Sequence, residues 1–279
     1  MVLTAVLAAA VLHAGWNAMA KASGDRLGLF GRAAVGSFAL AVVLCGVMPL
    51  PYAAAWPWLV ASALVHSLYN IGLLAAYRLG DFNQTYPLAR GLGPLVVAVV
   101  AAAFLGEPLP PLPLAGVIII AGAIAVLGLT PWQRIAHNRR AVLAAVLTGL
   151  TIATYTLVDG VGVRRSGTPI GYLAWMIALH CGTMILAWLA LRKWRPSDPD
   201  NQAGWKVGLL AGVMSMGAYG LVLWAQAHGA LAAVAALRES SVVVAAILGA
   251  VLFREPMGKS RIAASAAVAA GVVLLALSG

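Results

Sequence analysis

The stretch Tyr86–Leu109, YPLARGLGPLVVAVVAAAFLGEPL, returns in a second version at Val234–Met257, VAALRESSVVVAAILGAVLFREPM. An offset of 148 sets Arg90 on Arg238, Glu107 on Glu255 and Pro108 on Pro256, and it also matches Val96, Ala98 and Ala102. An arginine inside an apolar run, followed 17 residues later by Glu-Pro, is a rare combination in so uncharged a chain. Two related halves in an apolar sequence are the usual trace of a membrane protein built by internal duplication.

Composition sets the class. Of 279 residues, 62% are hydrophobic and 9% charged, against about 25% charged in soluble domains. A soluble core of this size has no room for so much apolar surface. Cys45 and Cys181 both sit in apolar runs, which argues against a disulfide framework or a thiolate metal site. The opening VLTAVLAAAVLHAGWNAMAK lacks a basic leader and has the length of a span, so it reads as a retained helix rather than a removable signal. The net charge of +10 is spread over short loops, as in a membrane protein with basic cytoplasmic connections, and not gathered into a nucleic-acid patch.

A span takes about 20 mostly apolar residues. That rule places ten helices near 2–21, 28–48, 57–78, 84–105, 111–130, 141–162, 170–191, 205–227, 231–252 and 260–278. Five helices per half is an odd number, so the second half enters the membrane reversed. The predicted fold is an all-α integral membrane protein: two inverted five-helix repeats, 1–130 and 141–279, joined by a linker at 131–140, around a central cavity. Thirteen loop cations flank odd-numbered connections and only Arg164 and Arg165 flank the even ones. The positive-inside rule then puts both termini outside.

The third and eighth helices align at an offset of 149, which sets His66, Asn70 and Tyr77 on Ser215, Tyr219 and Gln226. Spacings of four and then seven put each set on one helical face. The first and sixth align at 138, with His13, Asn17 and Lys21 facing Thr151, Tyr155 and Asp159. Polar stripes must avoid lipid, so they either line a wetted cavity or act as helix–helix glue. Trp16, Tyr69, Tyr77, Tyr155 and Tyr219 can stack on a solute, while Trp56, Trp58, Trp132, Trp194 and Trp205 read as an interfacial belt.

Arg90 and Arg238 lie too deep to be loop charges. Each is a candidate anchor for a carboxylate or other anion, or half of a structural ion pair. Glu239 can carry a coupling proton, bind a cationic amine or neutralise an arginine on a neighbouring helix. Asp159, nearer a helix end, reads as a solvated cap or a proton site. Pro87, Gly91, Gly93 and Pro94 predict a bent or unwound fourth helix. Glu107-Pro108 and Glu255-Pro256 suit the start of the helix that follows each. The candidate substrate-binding set is His13, Trp16, Asn17, His66, Asn70, Tyr77, Arg90, Tyr155, Tyr219, Gln226, Arg238 and Glu239. No metal-ligand spacing, phosphate loop or nucleophile–base arrangement is evident, so neither an enzyme nor a cofactor is indicated.

HAGWNAMAK (His13–Lys21), the helix-end GEP and REP motifs and the two five-helix halves resemble the drug/metabolite transporter superfamily, EamA type. YRLGDFNQTYPLARGLGPL (Tyr77–Leu95) and LRESSVVVAAILG (Leu237–Gly249) are similar to one branch of it. The resemblance implies a multi-pass protein of the cell inner membrane that works by alternating access, without ATP. It also implies export of amino acids or related small polar metabolites. Uptake of an organic anion such as a phosphonate is the alternative within transport, and a non-transporting scaffold or accessory subunit is the alternative outside it. The expected partners are a small-molecule substrate, a coupling proton or exchanged solute, and the lipid bilayer, with no nucleic acid; the chain works as a monomer or homodimer. Members of the superfamily are commonly drawn with both termini in the cytoplasm, the reverse of what the loop charges indicate.

Overall fold

The computed structural model of the chain describes residues 1–79, 82–128, 139–194, 204–255 and 258–277. These form eleven α-helices and a single turn of 3-10 helix, with no strand among the described residues. The helices are α1 (Val2–Ala22), α2 (Arg26–Val47), α3 (Trp56–Leu79), α4 (Phe82–Phe104) and α5 (Pro111–Gly128), then α6 (Arg139–Arg164), α7 (Pro169–Trp194), α8 (Trp205–His228), α9 (Leu231–Arg238), α10 (Ser241–Phe253) and α11 (Lys259–Ala276). With α9 and α10 taken as one broken rod, they occupy the ten ranges expected from hydropathy. Most of the expected linker, 131–140, lies outside the described residues.

Among the described residues, seven segments are long and apolar enough to cross a membrane: Val2–Ala22, Leu27–Val47, Arg140–Arg164, Pro169–Leu191, Trp205–His228, Leu231–Phe253 and Lys259–Ala276. Leu88–Phe104 and Pro111–Leu127 are shorter apolar helices. The outer surface is greasy, with Val99, Leu186, Val251 and Leu252 all largely exposed. Water would penalise such a surface, and lipid would not.

The first and second halves of the chain are interleaved. α1 lies on α8 and α3 on α6; α2 pairs with α7, and α5 with α11. Small residues let these backbones approach closely. A Cβ on Gly212 would stand 2.2 Å from the Ala33 carbonyl oxygen, across the α8–α2 contact. Gly116 and Gly271 face each other so closely that a Cβ on either would meet the other's carbonyl, at 2.9 and 2.8 Å.

The two helix ends that carry Glu-Pro share one backbone geometry. At the end of α4, Gly106 adopts φ 67° and Glu107 N donates to Ala101 O at 3.1 Å. At the end of α10, Arg254 adopts φ 52° and Glu255 N donates to Gly249 O at 3.2 Å. Both are left-handed caps closed by the same six-residue bond, at positions 148 apart.

Of the two distortions expected of the fourth helix, a bend or local unwinding, the unwinding is corrected. α4 runs unbroken from Phe82 to Phe104, and its glycines serve packing: a Cβ on Gly91 would lie 2.8 Å from Ala125 N and 2.9 Å from Ala121 O of α5. The interruption falls in the other half, between α9 and α10. There Glu239, Ser240, Val242 and Val243 each donate to the carbonyl three residues back. The turn is tightened to 3-10 pitch in mid-span, a common mark of a functional hinge.

Candidate functional site

The break at Glu239 sits against α4 and brings the deep charges together. Arg90 Nε donates to Glu239 Oε2 at 2.8 Å, and its Nη2 reaches Ser241 Oγ at 3.4 Å. All three side chains are buried. The Glu239 carboxylate thus neutralises the arginine of a neighbouring helix, one of the roles open to it from sequence. Arg238, although adjacent to Glu239 in the chain, approaches Oε1 only to 3.9 Å. Consecutive helical side chains diverge by about 100°, which keeps the two from a closer bond. Arg238 Nε is buried and makes no hydrogen bond among the described residues, and Glu239 Oε1 makes none there either. The Arg238 guanidinium instead lies over the Tyr155 ring, 5.6 Å from its centroid.

Aromatic and imidazole rings surround this guanidinium. His66 stacks on Tyr155 with centroids 4.3 Å apart, and it stands 5.3 Å from His180 and 5.5 Å from Tyr219. Tyr69 meets Tyr155 edge-on at 5.6 Å. Ser62 fixes the His66 ring, with Nδ1 3.0 Å from the Ser62 carbonyl and 3.2 Å from its hydroxyl. On α1, Trp16 Nε1 donates to His13 Nδ1 at 3.3 Å, and Asn17 Nδ2 donates to the His13 carbonyl at 2.7 Å. His13 Nε2 is buried without a hydrogen bond among the described residues and lies within electrostatic range of both Arg90 and Arg238. Gln226 is buried on α8 and donates to the Thr156 carbonyl of α6 at 3.4 Å, tying the two helices together. Asn70 and Tyr77 fall on the part of α3 whose side chains lie outside the described residues.

Asp159 is not a solvated cap. It is fully buried; Tyr172 donates to Oδ1 at 3.0 Å, and Tyr219 donates to Oδ2. Position within its own helix pointed to the end of α6, but α7 and α8 cover that end. Asp159 and Tyr172 are the central residues that sequence reasoning left out of the site. The signal was present, since an acid inside an apolar run is costly unless it is served by partners.

Each Glu-Pro glutamate closes one end of the bundle. Glu255 pairs with Lys21 of α1 and, at 3.3 Å, with Arg261 of α11. Glu107 pairs with Arg164 of α6 and accepts from the Leu231 amide at 3.2 Å. Arg164 in turn donates to the carbonyls of Gln226 at 2.8 Å and Gly229 at 2.6 Å. The cation covers the C-terminal carbonyls of α8 and the carboxylate covers the N-terminus of α9, as their dipoles favour. Glu107 therefore caps α9 across the bundle, and not the helix that follows it in the chain. In these pairs Lys21 stands to Glu255 as Arg164 stands to Glu107, a spacing of 143 (164 minus 21) where the alignment of the first and sixth helices used 138.

A family model for the EamA-like transporter family matches residues 139–277. The chain belongs to this family. A crystal structure of a protein 15% identical in sequence matches at a TM-score of 0.78, over 99% of this chain and 96% of that one. Likeness at that identity speaks to the fold alone. No match was found among curated proteins. As an EamA-type member of the drug/metabolite transporter superfamily, with seven segments able to span, the chain is a multi-pass membrane transporter. Among the described residues, no group of three His, Cys, Asp or Glu side chains gathers as metal ligands would.

Proposed function

We propose that this EamA-type transporter moves small polar metabolites that carry an anionic group, with amino acids and related compounds exported across the inner membrane by alternating access. Uptake of an organic anion such as a phosphonate through the same site is the alternative direction. Arg238 binds the anionic group. Tyr155 and His66 stack beside it, Tyr219, Trp16, Asn17 and His13 border it, and Gln226 holds α6 to α8. Asn70 and Tyr77 belong to the same proposed set through their place in the stripe on α3. Arg90 and Glu239 hold the broken helix in place.

The observation that carries this reading is the inequality of the two arginines. Arg90 is engaged by Glu239 and Ser241, whereas Arg238 is buried, lies over the Tyr155 ring and, among the described residues, has an Nε without a hydrogen bond. Buried guanidinium donors are rarely left unserved, and their planar fork suits a carboxylate or phosphonate. Two units, 1–130 and 141–279, related by inversion are supported by the matching caps at Gly106 and Arg254 and by the crosswise pairing of α1 with α8 and α3 with α6. The ion pairs Lys21–Glu255 and Arg164–Glu107 are the proposed gates of opposite faces. The excess of Lys and Arg at the odd connections favours a cytoplasmic position for the Lys21 face.

The test is a thermal-shift screen of purified protein against L-alanine, L-glutamate, methylphosphonate and putrescine, with wild type, Arg238→Gln and Arg90→Gln compared. A ligand at 100 times its Kd stabilises a protein by about 2.7 kcal/mol. The expected result is stabilisation of wild type by at least one anion-bearing probe, lost in Arg238→Gln with its folded yield kept. If Arg238→Gln responds as wild type does, the anion site is elsewhere. If no solute stabilises any form, the scaffold reading gains.

A further inference from the structure

Asp159 is a buried charge that the arginine–glutamate cluster does not use. Its carboxylate is fully buried, and among the described residues no ion pair reaches it. What faces it is hydroxyl: Tyr172 from α7, Tyr219 from α8 and Ser62 from α3. The cation in electrostatic range is Arg238, and His66 packs edge-on against Tyr219.

A carboxyl group served by two phenols keeps its hydrogen bonds in both protonation states. As the carboxylate it accepts from each phenol; as the acid it donates to one phenol oxygen, whose own proton rotates away. Intramembrane acids in such settings serve as proton relays in pumps and transporters. The position suits that task. Asp159 is five residues from Arg164, so it lies about 7.5 Å along the helix from the ion pair at that end. On its inner side, Tyr219 reaches Tyr155 at 6.5 Å, the ring on which Arg238 rests.

We propose that Asp159 is a proton-binding site of this transporter, coupled to the Arg238 site through Tyr219 and Tyr155. This rests on the proposal that Arg238 binds the solute's anionic group. The step is a simple transfer: a proton from water adds to the Asp159 carboxylate and is returned to water on release. Protonation removes a negative charge from the surroundings of Arg238 and strengthens its hold on an anion. By reciprocity, an anion at Arg238 strengthens the hold of Asp159 on its proton. Solute and proton are then carried together, so an inward proton gradient drives uptake, and export through this site carries a proton outward against that gradient and runs only where the solute's own outward gradient exceeds it.

Infrared difference spectroscopy of reconstituted protein reads the site without any solute. The expected result is a protonated-carboxyl stretch that titrates with pH in wild type, persists in Glu239→Gln and is lost in Asp159→Asn. A wild type without a titrating band, or an Asp159→Asn protein that keeps it, overturns the proposal. Should Asp159→Asn fail to fold, Tyr219→Phe reads the same group. Its midpoint must move, and an unmoved midpoint overturns the proposal equally. The coupling is read as affinity against pH for L-alanine, a probe whose carboxylate stays ionised across the titration. Affinity should weaken at least about threefold as the band is lost in wild type, and stay flat in Asp159→Asn; a flat wild-type profile rejects the coupling. Failure of L-alanine, L-glutamate and methylphosphonate alike to bind, with a normal titrating band, indicts the Arg238 reading and leaves the proton site standing.

Discussion

Two guanidinium groups flank the Glu239 carboxylate, one at 2.8 Å and one at 3.9 Å, and that difference separates their roles. Replacing Arg90 by alanine leaves a buried carboxylate without its main partner, a loss of about 3–5 kcal/mol for broken buried pairs. The expected outcome is a sharp fall in folded yield, measured by size-exclusion chromatography in detergent, with partial rescue in the double variant Arg90→Ala/Glu239→Gln. No rescue would mean that Arg90 packs rather than pairs. Glu255 offers a second test. The hydrogen bond and charge of Lys21, with Arg261 beside it, hold its carboxyl below the usual carboxylate range. A depressed carboxyl contributes stability above its unfolded value, and the contribution disappears as pH falls through the folded one. Wild type should therefore melt slightly above Glu255→Gln at neutral pH, with the gap closing in acid; a gap that widens in acid contradicts the ion pair. The sequence revealed both deep arginines because charge in an apolar run is conspicuous. It did not reveal which was occupied, since that depends on the partner helix. Of the two readings open for Asp159, the solvated cap failed for the same reason: its burial comes from α7 and α8, not from its position on α6.

At the scale of elements, the helix ends were legible and the helix break was not. Glu-Pro marked the ends of α4 and α10, but which group each glutamate serves required the fold, because Leu231 is 124 residues from Glu107. Proline and glycine pointed to distortion in α4, where lost backbone bonds were outweighed by close packing on α5. The break at Glu239 carries neither residue and left only a short polar triplet, Glu239-Ser240-Ser241, as its signal. Close helix approach gives a direct test. A Cβ on Gly212 would meet the Ala33 carbonyl at 2.2 Å, a contact with backbone that no rotamer relieves. Gly212→Ala should lower the melting temperature, consistent with about 1–3 kcal/mol for overpacking. Gly46→Ala, where a Cβ meets nothing within 4 Å, should not. Equal effects of the two would show that α2 and α8 adjust freely.

The whole molecule raises orientation and transport. Loop charge places the connection between α5 and α6 in the cytoplasm, whereas family habit places the termini there. A cysteine at Arg134, in a Cys45→Ala/Cys181→Ala background, should resist an impermeant thiol reagent on intact cells, and ready labelling would show that loop charge does not set the topology. Helix number and ends were readable throughout, because the length of a span and its charged borders are local properties. The inverted arrangement was inferred from parity alone, and it remains part of the proposal; the matched caps at Gly106 and Arg254 bear on the likeness of the two helix ends. The central claim is that Arg238 holds the anionic group of a transported solute. Counterflow tests it most directly: proteoliposomes preloaded with an unlabelled stabilising solute, then given the same solute labelled outside. Wild type should accumulate label transiently, and a folded Arg238→Gln protein should stay at the level of empty liposomes. Accumulation by Arg238→Gln equal to wild type, or none by a well-folded wild type, would contradict the account.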